Sequence, residues 1–73
     1  MVTIHREGGL RIAIFKDDHE PAHVHVTGDG EAKVQLMGRD GRPALVWSIG
    51  LSRNDLRRAL HIVTQRQSEF LAR

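Results

Sequence analysis

Cysteine is absent from this 73-residue chain, and so is tyrosine. Without cysteine the chain has no disulfide and no thiolate-based zinc site. Two phenylalanines and one tryptophan are its only aromatics. So sparse a set makes Trp47 a core or interface anchor rather than part of a base-stacking platform. No apolar run approaches the roughly eighteen residues of a membrane span, and the N-terminus lacks the apolar stretch of a signal peptide. The expected setting is therefore soluble and cytoplasmic. The net charge of +2 is too small to select a partner. A single domain of this length buries little of its surface, so it depends on its core, a bound metal or a partner subunit.

The apolar pattern implies an α+β domain with four antiparallel strands in two hairpins and one C-terminal helix. Leu10, Ile12 and Ile14 alternate with Arg11, Ala13 and Phe15, the period of a half-buried strand, and Gly8-Gly9 precede it as a turn. A polar loop to Pro21 leads into a second strand over residues 22–27. Gly28-Asp29-Gly30 then closes a hairpin. A three-residue loop sets Val26 against Ala32, Val24 against Val34, His25 against Lys33 and His23 against Gln35, with all the apolar residues on one face. A two-residue turn mixes the faces, so the pattern selects the longer loop. Residues 38–43 make another turn before a fourth strand, 44–49, which carries Trp47 and ends at Gly50. Ser52 and Asp55 form a capping-box variant, with Leu51 and Leu56 as its hydrophobic staple. The helix expected from there runs to near the C-terminus, burying Leu56, Ala59, Leu60, Val63, Phe70 and Leu71. His5 is expected in a frayed N-terminus and His61 on a solvated helix face.

Three of the five histidines and two adjacent aspartates fall between Asp17 and His25. Imidazole and carboxylate are transition-metal ligands and also the common proton carriers near neutral pH. His23 and His25 stand two apart on a strand and project from one face roughly 6.5 Å apart. Both can reach one divalent transition metal (zinc, manganese or iron), with Asp17, Asp18 or His19 closing the site from the loop. Without metal, one histidine serves as general base and the other as general acid, with Asp18 the aspartate that fixes the tautomer. RNA cleavage by its own 2′-hydroxyl needs little more than such a pair and a cation, and Lys33 is that cation. The bland alternative is a polar sheet face or protein interface, with Asp17 and Asp18 bonding the local turn backbone.

Arginine outnumbers lysine nine to two, and five arginines follow Ser52. Arg53, Arg57 and Arg58 join Lys33 as candidate contacts to a nucleic-acid backbone. Arginine-rich composition also arises in high-GC genomes without function, and a solvated helix face is the plainer reading.

The run Phe15-Lys16-Asp17-Asp18-His19-Glu20-Pro21-Ala22-His23-Val24-His25-Val26 resembles the signature of a short bacterial family, domain-of-unknown-function family 4160. The resemblance covers nearly the whole chain, and Phe15, Asp17, Asp18, His19, Pro21, His23 and His25 occupy the signature positions. It implies a gene beside a second small gene, as in a toxin–antitoxin pair, with this chain the toxin-like member. The helix end departs from the family's aromatic and histidine pattern, since Val63 to Arg73 has only Phe70. The resulting expectation is a component of a toxin–antitoxin or defence-type module, with an Asp/His metal or acid–base site and RNA as target. The alternative is a non-catalytic protein docking through the polar sheet face and Trp47. Expected partners are a small cognate protein and RNA, with a second copy of the chain also admitted and no membrane.

Overall fold

The structure, a computed structural model, describes residues 2–14 and 22–72. Five strands form one antiparallel sheet in chain order: β1 (Val2–Glu7), β2 (Leu10–Ile14), β3 (His23–Thr27), β4 (Glu31–Gln35) and β5 (Ala44–Ile49). Two helices follow, α1 (Arg53–Gln65) and α2 (Gln67–Leu71).

The β3–β4 hairpin has the register that the apolar pattern selects. Val26 faces Ala32, Val24 faces Val34, His25 faces Lys33 and His23 faces Gln35. The amide of Gly28 donates to the carbonyl of Gly30 at 2.9 Å and closes the turn. Gly30 has no room for a side chain, because a Cβ there would overlap the backbone from Ile49 to Leu51.

The fifth strand corrects the expectation of four. Gly8 and Gly9 both take positive φ, 56° and 83°, so they form a two-residue hairpin turn that folds Val2–Glu7 back onto β2. A bulge between Thr3 and His5 breaks the alternation that would have marked β1 as a strand. His5 is therefore not frayed. Its register partner is Ile12, and its ring lies 6.2 Å from that of Phe70.

One face of the sheet carries Leu10, Ile12, Val24, Val26, Ala32 and Val34, and the helices cover it with Ala59, Ile62, Val63 and Phe70. Val24, Val26, Val34 and Val63 are wholly buried. Ser52 caps α1, its hydroxyl accepting from the Asp55 amide at 3.0 Å, and Leu51 and Leu56 pack on the core as the staple requires. The single expected helix is interrupted at Arg66, whose φ of −113° leaves the helical range. That break turns Phe70 into the core and leaves Leu71 exposed, while Ile62, outside the expected stripe, is buried. A five-residue helix is unstable alone. Burial of Phe70, worth about 2 kcal/mol, holds α2 in place, as does Gln67, which donates to the carbonyls of Leu36 at 2.7 Å and Gly41 at 2.9 Å.

Candidate functional site

Strand alternation sends His23 and His25 to the sheet face opposite the helices, because Val24 and Val26 occupy the core face. Their ring centroids lie 5.5 Å apart with planes tilted by 50°. His23 is only 6% exposed and His25 is half-buried. No buried side-chain nitrogen or oxygen among the described residues lacks a hydrogen-bond partner, so the burial of His23 leaves no unmet polar atom there.

A transverse row crosses the sheet at this level, with Thr3, Ala13, His25, Lys33 and Trp47 in register from β1 to β5. Lys33 thus sits between His25 and Trp47. Strands two apart are separated by roughly 9.5 Å, yet the rings of His25 and Trp47 approach to 5.8 Å, edge to face at 87°. The two side chains lean toward one another over Lys33. Trp47 reaches this row because a bulge shifts the β4–β5 register between Lys33 and Val34 and leaves Val46 as the extra residue. The sequence pattern contains no sign of that bulge, so the placement of Trp47 beside His25 was not legible there.

His23, His25 and Lys33 are thus assembled on one face, with Gln35 opposite His23. Asp17, Asp18 and His19, the expected further metal ligands, lie outside the described residues, and so does the aspartate expected to fix the imidazole tautomer. Among the described residues no group of three or more histidines and acids is placed to hold a metal ion. His23 and His25 supply two donors of the expected set.

The candidate nucleic-acid contacts do not come together. Lys33 is on the face away from the helices, whereas Arg53, Arg57 and Arg58 belong to α1, which packs on the other face. Arg58 is engaged structurally: it pairs with Asp55 at 2.8 Å and donates to the carbonyl of Gly8, tying α1 to the β1–β2 turn. Arg57 and Arg58 border a depression of about 260 Å³ whose other walls are Glu7, His61 and Ile62. A phosphate entering there meets the Glu7 carboxylate as well, which weakens the attraction.

Sequence reasoning missed one pair of titratable groups. His5 Nε2 lies 2.9 Å from Glu7 Oε1 across one strand position on the exposed β1 edge. The hydrogen bond from His5 holds the Glu7 carboxyl below its ordinary value, helped by the charges of His5, Arg66 and His61 and opposed by slight desolvation. The i, i+2 spacing of His5 and Glu7 was the available signal once residues 2–7 are known to be a strand.

No helix among the described residues is long and apolar enough to cross a membrane. The profile of a protein family, described as domain of unknown function (DUF4160), matches residues 9–73. No curated protein and no solved structure matches the chain.

Proposed function

The chain belongs to the DUF4160 family, and from that premise we propose that it is an RNA-directed component of a bacterial toxin–antitoxin or defence-type module, working in the cytoplasm through the sheet face that carries His23 and His25. The observation that carries this reading is the pairing of two imidazoles 5.5 Å apart with Lys33 directly opposite His25.

The chemistry this set supports best is acid–base cleavage. One imidazole takes the proton of an RNA 2′-hydroxyl, and the oxygen attacks the adjacent phosphorus. The bond from phosphorus to the 5′-oxygen breaks, the other imidazole protonates that leaving oxygen, and a 2′,3′-cyclic phosphate remains. Lys33 offsets the charge that grows on the phosphoryl oxygens. A divalent metal held by His23 and His25, with a third ligand from Asp17, Asp18 or His19, is the other chemistry of the same pair. Its third ligand lies outside the described residues, as does the Asp18 that fixes the tautomer in the acid–base reading, whereas the two imidazoles and Lys33 lie among them.

A second reading has its own support. Trp47 packs edge-on to His25 at the margin of the sheet, and Leu45, Val46 and Ile49 are exposed on the same strand. Such a margin suits a non-catalytic protein that docks on a cognate partner.

Controlled expression in a bacterial host separates the two. The first reading predicts growth arrest by the natural chain and none by His23→Ala or His25→Ala at equal folded yield. Growth arrest that survives both substitutions contradicts the catalytic reading, and stoichiometric capture of a partner alongside it favours docking.

A further inference from the structure

We propose that the outer edge of β5 is a pairing edge for a second copy of this chain, joining two sheets into one antiparallel sheet across a two-fold axis. The inference does not depend on the chemistry of His23 and His25.

A sheet has two edges, and only one of these is protected. β1 carries Arg6 and Glu7, charged side chains that discourage edge pairing, with His5 between Ile4 and Arg6. β5, Ala44-Leu45-Val46-Trp47-Ser48-Ile49, has no charge and no proline. Three of its large apolar residues are well exposed: Leu45 at 40%, Val46 at 50% and Ile49 at 68%. Among the described residues no backbone group pairs with its outer side. Outward N–H and C=O groups take an extended strand as partner, and these side chains select an uncharged apolar one.

β5 itself is such a strand. Ala44, Trp47 and Ile49 face away from the helices, because their β4 partners are Gln35, Lys33 and Glu31. Leu45 and Ser48 face the core side, opposite Val34 and Ala32. Paired antiparallel with its own copy, β5 sets Ala44 against Ile49 and Leu45 against Ser48, each pair on a single face. A regular six-residue strand cannot do this over its full length, since its first and last residues point to opposite faces. The extra residue Val46 restores the match, and Val46 meets Trp47 of the second copy at the two-fold axis. Trp47 of that copy then adjoins the row that contains Lys33 and His25, so each protomer adds an aromatic to the other's site. An edge of six residues makes a small interface, so the dimer depends on concentration.

Light scattering and the emission of the sole tryptophan, followed over a dilution series of the full chain, test this. We expect a monomer–dimer equilibrium in which Trp47 emission moves to shorter wavelength as the dimer fills. Val46→Lys places like charges near the axis and should abolish the dimer. Arg6→Glu, on the other edge, should leave it intact. Because Val46→Lys could also disturb β5, the register is checked separately: the natural chain has no cysteine, so a mixture of Leu45→Cys and Ser48→Cys proteins should form the mixed disulfide dimer faster than either like pair. A monomer at every concentration, a dimer indifferent to Val46→Lys, or like-pair cross-links as fast as the mixed one would overturn the proposal.

Discussion

His25 and Trp47 meet edge to face, with ring centroids 5.8 Å apart and planes at 87°, although Lys33 lies between them in the strand order. The contact fixes one imidazole of the pair against the only tryptophan of the chain. It predicts a measurable coupling. A double-mutant cycle of His25→Ala and Trp47→Ala, read by chemical denaturation, should give an interaction of about 0.5–1 kcal/mol. Additive losses would mean that the two rings do not support one another.

The turn and cap that set the sheet against the helix should each respond to one substitution. Ser52→Ala removes the acceptor for the Asp55 amide and should lower stability by about 1 kcal/mol. Gly30→Ala forces a Cβ into the backbone between Ile49 and Leu51 and should cost about 2 kcal/mol or more. Thermal unfolding of the two variants measures both. A Gly30→Ala protein as stable as the natural chain would show that β5 does not run so close to the β3–β4 turn.

Glu7 gives the fold a defined acid response. Its carboxyl is held low in the folded chain by the His5 hydrogen bond. A depressed carboxylate contributes stability that is present above its unfolded value and is lost as pH falls through the lower folded value. Stability should therefore fall on acidification in the range below the ordinary glutamate value, and His5→Gln should reduce that fall. The side-chain carbon resonance of Glu7, titrated by NMR, should move to a higher midpoint in the His5→Gln protein. An unchanged midpoint would remove His5 as the cause.

Why some of this was legible and some not follows from particular residues. The β3–β4 register could be read because Val24, Val26, Ala32 and Val34 fit one face in only one alignment, and a one-residue slip reverses every side chain. The same argument put His23 and His25 opposite the core, and Ser52 with Asp55 marked the start of α1. β1 was hidden because its bulge disrupts the alternation and its second half, His5-Arg6-Glu7, has no apolar residue. The break at Arg66 has no proline or glycine to announce it. It is set by tertiary packing, through Phe70 and the two bonds of Gln67. Trp47 could not be placed beside His25 without the Val46 bulge, which is a property of the pairing rather than of composition.

Metal binding by the histidine pair is separable from proton transfer. If His23 and His25 hold a metal with a third ligand from the Asp17–His19 stretch, zinc, manganese, nickel or iron(II) should raise the melting temperature in proportion to the excess of free ion over its dissociation constant. The gain should weaken in acid, because imidazole must be neutral to bind. His25→Ala should abolish it. A titration that shifts neither the melting temperature nor the histidine resonances leaves acid–base chemistry or a docking interface as the use of the pair.

The most direct test of the central claim is the fate of a single-stranded RNA incubated with the untagged protein in the presence of a chelator. Fragments ending in 2′,3′-cyclic phosphate are expected, with cleavage lost in His23→Gln and His25→Gln and reduced in Lys33→Gln, while all three variants remain folded at the assay temperature. RNA left intact by the natural chain with chelator or with added divalent metal, or cut equally by the histidine variants, would contradict the assignment of this sheet face as an RNA-directed site.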